Sequence, residues 1–421
     1  MTDYDIVVAG AGIVGVSTAL HAQMRGHRVL LADPNLPGSG TSSGNACTIA
    51  TYGCMPINDP AVFGNLPKLM FGKDSPLSVS LPYALRNPRW MLSFLANCRL
   101  TKSRAIAGYL AQLLSHAEAG LNPLIVEAGA EDLFVARGQL SVWSTSAGFD
   151  GARAGLEFRR QQGIPFTEMS GAEAKELEPG LDLPIEHAIH FHQARHVSDP
   201  QELIRRMHAR FAQLGGHTRP AKVNATQAHG DLVEVEIDGD TITANRAVIA
   251  AGAFSRQIAG AGTAQLPLGV ERGYHLLYTQ DAHRVTRPVG WMEGGFYATP
   301  MAQGLRLAGT VEIAQLNAGP NQNRINYLAR QATQMFQDLP QHDSSWLGYR
   351  PTMPDSMPVI GYSPHSDRIV HAFGHQHLGL TLGGITGRIV TDLVEDRAPN
   401  FAISAYSPSR SFGPFANRSG P

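Results

Sequence analysis

"DYDIVVAGAGIVGVSTALHAQMRGHRVLLAD", residues 3–33, decides how the chain is read. The apolar run Ile6 to Ala9 reads as a buried parallel strand. It leads into Gly10-Ala11-Gly12-Ile13-Val14-Gly15, a G-x-G-x-x-G spacing. Ile13 to Arg25 reads as a helix stopped by Gly26, and Val29 to Ala32 as a second strand ending on Asp33. Gly10 lets the chain turn out of the strand, Gly12 lets a pyrophosphate approach the backbone, and Gly15 lets the helix pack on the sheet. Free N–H groups at the helix start attract that anion. Asp33, eighteen residues beyond Gly15, suits the hydroxyls of an adenosine ribose. Strand, helix, strand and acid together read as a dinucleotide-binding βαβ unit.

The chain has 421 residues, 43% hydrophobic and 16% charged, enough for two domains. A formal net charge of −1 lacks the basic excess of a general nucleic-acid binder, so no nucleic-acid partner is expected. Three cysteines, Cys47, Cys54 and Cys98, make neither a disulfide framework nor a metal knuckle. The histidines of "HFHQARH" (190–196), with His375 and His377, lack co-ligands at metal spacing, so no metal is expected. Fold begins directly after Met1–Tyr4, as expected of a cytoplasmic chain without a secretory signal. No apolar run of about 18 residues suggests a transmembrane helix. "SPLSVSLPYALRNPRWMLSFLANCRL" (75–100) is apolar and aromatic but interrupted by Pro82, Arg86, Pro88 and Arg89. Its first reading is a helix packed on the core. Its second is a surface meeting a partner subunit or, peripherally, the inner face of the cell membrane.

Apolar parallel-type strands recur at "RAVIAAGAFS" (246–255) and "RIVHAFG" (368–374), whereas "GQLSVWS" (138–144) and "GYHLLYT" (273–279) alternate. A helix is expected from Ser198-Asp199-Pro200 to Gly215-Gly216, and a hairpin at Asp238-Gly239-Asp240. The expected fold is α/β in two domains. A Rossmann-like domain is assembled from residues 1–60, 185–268 and 346–400. A domain with a mixed or antiparallel sheet and helices, 61–184 and 269–345, is inserted into it. Residues 401–421, rich in Ser, Pro and Gly, read as a tail.

Several phrases together with the N-terminal fingerprint carry a resemblance: "VIAAGAFS", "ERGYHLL", "FYATP...GLRLAGTVE", "GYRPTMPDSMPVIG" and "HAFGHQHLGLTLGGITGRIVTDLV". In these the chain resembles FAD-dependent amino-acid oxidoreductases of the D-amino-acid oxidase/dehydrogenase superfamily, most of all bacterial D-amino-acid dehydrogenases, including the D-hydroxyproline type. One complete dinucleotide fingerprint, with "GAGTAQ" (260–265) lacking the third glycine, agrees with a flavin that both takes and passes on electrons. The resemblance implies FAD, and with no cysteine near the C-terminal flavin segment the FAD is expected to be non-covalent. The resemblance also implies flavin contacts from Thr41, Ser42, Ser43, Asn45 and Ala46, from Val223, Ala251 and Gly252, and from Gly379, Leu380 and Thr381 at a helix start that favours charge on the reduced ring.

An amino-acid substrate presents a carboxylate, which a guanidinium grips bidentately, and an amine on the carbon that loses hydride. Arg272 in "ERGYH" and Arg350 in "GYRPTMPD" are the candidate anchors, and the resemblance implies that both line the substrate cavity. Tyr297 and Tyr52 fall on motif positions that resemble substrate-facing tyrosines, and His375 is placed to tune the amine. The expected reaction is oxidative deamination of D-amino acids, D-proline or D-hydroxyproline among them, by hydride transfer to flavin N5, with a quinone or electron carrier as acceptor. The runners-up are a sarcosine/glycine-type amine oxidase, a flavoprotein subunit of a larger dehydrogenase, and a dinucleotide sensor.

Overall fold

The computed structural model describes residues 2–63 and 75–413. Strand β1 (Tyr4–Ala9), helix α1 (Ile13–Met24) and strand β2 (Val29–Ala32) form where the hydrophobic pattern places them. β1 pairs in parallel with β2 on one side and with Asp240–Ile249 on the other. His217–Arg219 extends the sheet beyond β2, and Ser366–Phe373 adds in parallel beyond Asp240–Ile249. This is a Rossmann-like sheet whose strands come from distant parts of the chain. A meander, Val223–His229 and Leu232–Ile237, leads into Asp240–Ile249 through the expected turn, with Asp238 at φ 50° and Gly239 at φ 91°. Asp199 caps helix Pro200–Gln213 by accepting from the N–H groups of Gln201 and Glu202.

The second sheet runs in the order Ser344–Thr352, Gly269–Tyr278, Gly304–Ile313, Phe296–Met301, Val289–Trp291, Gln139–Trp143, His187–Phe191 and Thr167–Ser170. Helix Gln322–Met335 buries Leu328, Ala332 and Met335 in a core shared with Tyr274, Leu276 and Phe296.

The boundaries differ from the expected ones in three places. His187–Phe191 and Ser344–Thr352 were expected in the nucleotide domain but are strands of the second sheet. Helices Leu100–Ser115 and Ala117–Glu127, expected in the inserted domain, bury Leu110, Leu114, Leu121 and Leu124 in the same core as Val14, Val16 and Leu20 of α1. The expected tail is packed as far as it is described. Tyr406 and Phe412 are buried, and Arg410 binds Asp355 at 2.8 Å. Two aromatic anchors and one ion pair outweigh the Ser/Pro-rich composition; residues 414–421 lie outside the described residues.

The stretch 75–100 is ordinary packing on its aromatic side. Trp90 and Phe94 stack at 5.5 Å and are buried with Tyr83 and Ile313, while Leu81, Leu85 and Leu92 face outward. Among the described residues no helix is long and apolar enough to cross a membrane.

Helix Gly379–Val394 presses on α1 and on Ala117–Glu127 along a line of glycines. A Cβ at Gly384 would lie 2.5 Å from Leu121 Cα, one at Gly120 2.3 Å from Ile385 Cα, and one at Gly387 2.7 Å from the Ser17 carbonyl carbon. His21 Nε2 lies 3.0 Å from the Gly120 carbonyl oxygen and 3.2 Å from that of Gly384, and burial pulls its pKa down to about 4, so a neutral ring ties the three helices together. Gly384→Val is therefore expected to lower stability by about 1–3 kcal/mol through overpacking. The check is the urea midpoint, and an unmoved midpoint contradicts the close approach.

Candidate active site

The two sheets enclose a cavity of about 600 Å³ that runs from the β1–α1 loop to the strands around Arg350. At its first end the backbone is as bare as a dinucleotide requires. Gly10 has φ +109°, and a Cβ there would lie 2.5 Å from the Ala250 carbonyl oxygen. A Cβ at Gly15 would lie 1.8 Å from the Gly10 carbonyl oxygen, so Gly15 acts behind the cavity, by seating α1 against the loop. Ala11, Gly12, Ile13 and Val14 line the wall at the start of α1. Asp33 accepts from the N–H groups of Ala11 and Asn35, each at 2.8 Å, which fixes its carboxylate on the lining with acceptor capacity to spare. Val223, Ala251 and Gly252 also line the cavity, and Ala251 sits directly beside Gly10.

The loop after β2 crosses the middle of the cavity, clamped by the second sheet. The Arg306 guanidinium donates to the carbonyls of Ser43 at 2.7 Å and Asn45 at 3.1 Å. Thr299 Oγ1 donates to the Ala46 carbonyl at 3.1 Å, and Thr41 Oγ1 to that of Tyr349 at 2.9 Å. Ser42 Oγ accepts from Ile13 N–H at 3.0 Å, joining the loop to the start of α1. Thr41, Ser42, Asn45 and Ala46 line the cavity. Ser43 is not on the lining, because its hydroxyl turns back to the Gly40 carbonyl at 2.9 Å. Thr381 is likewise behind the wall, accepting from Ala50 N–H at 2.9 Å, whereas Gly379 and Leu380 line it. Cys47 is on the lining, and burial pushes its thiol up to about 11, which keeps it protonated and unreactive.

Arg350, Tyr52, Tyr297 and His375 all line the cavity, but Arg272 does not. Along Gly269–Tyr278 side chains alternate between faces, so Glu271 and Gly273 look into the cavity and Arg272 away from it. Arg272 is only 1% exposed and pairs with Glu312 at 3.2 Å and the carbonyls of Ala318 and Gly319, which makes it part of the core behind the sheet. Arg350 reaches across the neighbouring strand into the space that a side chain at Gly273 would fill, and a Cβ there would lie 2.5 Å from Arg350 Nη2. Its Nη1 donates to the Thr310 carbonyl at 3.3 Å. Burial lowers the pKa of this guanidinium, and the Glu271 carboxyl pulls it back up.

Tyr52 stacks on Phe191 at 4.1 Å, and the Tyr52 and Tyr297 phenols are close enough to influence each other electrostatically. Burial raises both phenols above their usual range, so both stay protonated. His375 is neutral, pushed down to about 3 by burial, and its Nε2 is engaged by Thr386 Oγ1 at 2.9 Å. Two cavity groups had escaped the sequence reading. One is Glu271, which strand alternation with Gly273 signals. The other is Arg159, on helix Ser146–Gln161, whose Nε donates to the Tyr52 carbonyl at 3.0 Å. Nothing in its local sequence distinguishes Arg159 from the exposed Arg153 and Arg160. Among the described residues no cluster of His, Cys, Asp and Glu could hold a metal ion.

A glycine cradle at a helix start, an acid at the ribose position and a cavity continuing to an arginine without an ion pair among the described residues fit a flavin dinucleotide with a carboxylate beside it. Residues 5–393 match the DAO family, described as FAD dependent oxidoreductase. The chain belongs to that family. It is therefore an FAD-dependent oxidoreductase. It is 31% identical over 417 residues to a protein of Bradyrhizobium diazoefficiens named D-amino-acid oxidase, covering 96% of this chain and 98% of that one. It is 28% identical to D-amino acid dehydrogenase 2 of Ralstonia nicotianae over 436 residues, with 96% and 100% covered. The fold superposes on glycine oxidase from Geobacillus kaustophilus with a TM-score of 0.77 at 22% identity, covering 98% of this chain and 100% of that one. It superposes on L-proline dehydrogenase from P. horikoshii with 0.72 at 18%, covering 96% of each.

The FAD dependence and the cradle together give a test. A Cβ at Gly12 would sit 3.2 Å from Ser42 Oγ, so a larger side chain must project into the open space of the cradle. Gly12→Val is expected to purify folded but colourless. A full flavin spectrum in the variant contradicts the placement of the dinucleotide on this loop.

Proposed function

We propose that the chain oxidises D-amino acids to imino acids, which water converts to keto acids, and passes the electrons to a quinone or another non-oxygen carrier. The observation that carries the reading is the guanidinium of Arg350, desolvated by the surrounding protein but open to the cavity, which has no ion pair within 4.0 Å among the described residues and faces the same cavity as the dinucleotide loop. A planar, desolvated cation is matched by a carboxylate held through two parallel hydrogen bonds. In this reading residues 10–15 and Asp33 hold the adenosine diphosphate half of FAD. Thr41, Ser42, Asn45 and Ala46 hold its middle, and Gly379 and Leu380 its pyrimidine edge. The binding is non-covalent. FAD, when bound, supplies the acceptor for a hydride from the substrate's α-carbon. The protein's part is orientation: Arg350 fixes the carboxylate while the Tyr52 and Tyr297 phenols close the opposite wall. His375 contributes as a neutral group tied to Thr386, without a free proton to give. Support for the D configuration comes from the two curated relatives, both named for D-amino acids.

Anaerobic bleaching of the yellow protein with a panel of D- and L-amino acids, glycine, sarcosine and both hydroxyproline epimers tests the reading. D-amino acids, D-proline among them, are expected to bleach it. Bleaching by glycine or sarcosine alone would favour an amine oxidase. Arg350→Met is expected to retain FAD and to need about 100-fold more substrate, since loss of a charge-assisted bidentate contact costs roughly 2–4 kcal/mol. An unchanged titration removes Arg350 from the site.

The acceptor reading has its own test. Reoxidation by oxygen is expected to be slow and by quinone analogues fast; rapid turnover with stoichiometric peroxide makes the enzyme an oxidase. In this reading the enzyme works in the cytoplasm and touches the membrane through Leu81, Leu85 and Leu92, since Trp90 and Phe94 face inward. Quinone carried in vesicles should then reoxidise it faster than the same quinone dispersed in detergent. Equal rates point to a soluble carrier or a partner subunit.

A further inference from the structure

Glu271 and Arg350 stand directly opposite each other in the antiparallel register of Gly269–Tyr278 and Ser344–Thr352. They carry opposite charges, both line the cavity, and they attract each other through the low-dielectric interior. Yet no N···O distance between them falls within 4.0 Å, because the Arg350 side chain leans two residues along the strand, over Gly273. Two residues of strand amount to roughly 7 Å.

The carboxyl itself is held firmly at one oxygen. Gln376 Nε2 donates to Glu271 Oε1 at 2.9 Å; the Thr352 hydroxyl also interacts with the carboxyl but is turned to the Arg350 carbonyl at 3.3 Å, and Glu271 Oε2 is buried without a well-formed hydrogen bond. Glu271 is 1% exposed. A buried carboxyl oxygen without a well-formed hydrogen bond is costly, and such exceptions ask for a ligand or water that completes them. The residue that fixes Oε1 is itself held in an unfavourable conformation: Gln376 has φ 54°, in the left-handed region that costs a non-glycine residue of order 1–3 kcal/mol. Its amide also lies 3.5 Å from Ser356 Oγ, another residue at positive φ, so the surrounding loop over-determines where the amide points.

An open pair of opposite charges, one residue's reach apart and both facing the substrate end of the cavity, is complementary to a zwitterion. We propose that Glu271 Oε2 receives the amino group of the substrate while Arg350 receives its carboxylate, and that Glu271 takes the surplus ammonium proton. In that step one N–H bond of the ammonium breaks and an O–H bond forms on Glu271. The nitrogen keeps the electron pair that it needs to support loss of hydride from the α-carbon. This rests on the amino-acid reading of the site and adds to it a second recognition group and a proton acceptor. Burial pushes the Glu271 carboxyl up and Arg350 pulls it back, which suits a group that must be ionised before substrate arrives and protonated afterwards.

The test uses two ligands that the FAD-loaded enzyme cannot oxidise as amino acids: α-aminoisobutyrate, which has an amine and a carboxylate but no α-hydrogen, and isobutyrate, which has only the carboxylate. Binding is read by calorimetry. Glu271→Gln is expected to weaken α-aminoisobutyrate by about tenfold or more, as for loss of a charge-assisted contact, and to leave isobutyrate as tight or tighter. Equal effects on the two ligands, or none, overturn the proposal while leaving the amino-acid reading standing. Failure of both ligands to bind the wild type overturns both. Should Glu271→Gln lose FAD, the same titrations on Gln376→Met, which removes the donor fixing the carboxyl, decide the matter. A selective loss of α-aminoisobutyrate supports the proposal, and an equal loss of the two overturns it.

Discussion

Helix α1 starts where it does because three close contacts, one made by its own Gly15 and two by glycines of helix Gly379–Val394, leave out side chains. Gly15 rides on the carbonyl of Gly10, Gly383 on Ile13 and Gly387 on Ser17, each closer than any Cβ would allow. Widening any of these contacts would tilt the helix and move its first N–H groups, which are the grip for an anion. The same close contact brings the start of Gly379–Val394 to the cavity, so the N-terminal ends of two helices converge on one elongated site. Each carries partial positive charge from its unsatisfied N–H groups. The first domain thus offers a polyanionic cofactor mainly backbone, with few charged side chains on that part of the lining.

The second sheet works by a different principle. It places full charges in a buried site, where desolvation is expensive and an unpaired ion strongly attracts its complement. Arg272 and Glu312 answer that cost by closing on each other behind the sheet. Arg350 and Glu271, on the cavity side, stop short of doing so. The difference comes from Gly273, whose missing side chain lets Arg350 lie along the strand rather than across to Glu271. One glycine therefore separates a structural ion pair from a pair that stays open.

How much of this the sequence discloses depends on the range of the cause. The βαβ unit, the Asp238-Gly239 hairpin and the capped helix at Pro200 are set by residues close in sequence, and each forms where its pattern lies. Domain membership was harder, because helices Leu100–Ser115 and Ala117–Glu127 follow the inserted segment but pack with residues far away in sequence, on α1 and Gly379–Val394. Arg272 was favoured over Glu271 because an arginine suits a carboxylate. The phase of the strand decides which face each residue takes, and Gly273, two residues on, marks the face that must stay open. Arg159 carried no signal, since its role depends on Tyr52 from another element. The chain end was misread from composition, which counts serines and prolines but not where Tyr406 and Phe412 find pockets.

Two arginines line the cavity, and physics separates their roles. Arg159 is half-buried; its Nε is occupied by the Tyr52 carbonyl and its guanidinium lies 5.8 Å over the Phe191 ring. Water reaches it and screens it, so an anion gains little by moving there from solution. Arg350 is partly exposed as well, on the cavity lining, but its guanidinium lies over the bare backbone of Gly273 and hydrogen-bonds one carbonyl at the long distance of 3.3 Å. Its field is less screened because the surrounding protein desolvates it, and that desolvation also lowers its pKa. In the proposed reading a carboxylate entering the cavity therefore falls to Arg350, which leaves the lining at Tyr52, Tyr297 and Arg159 to meet the rest of the molecule. Two protonated phenols and a tethered cation would there tell apart, by their side chains, substrates sharing the amino-acid core that this reading assigns.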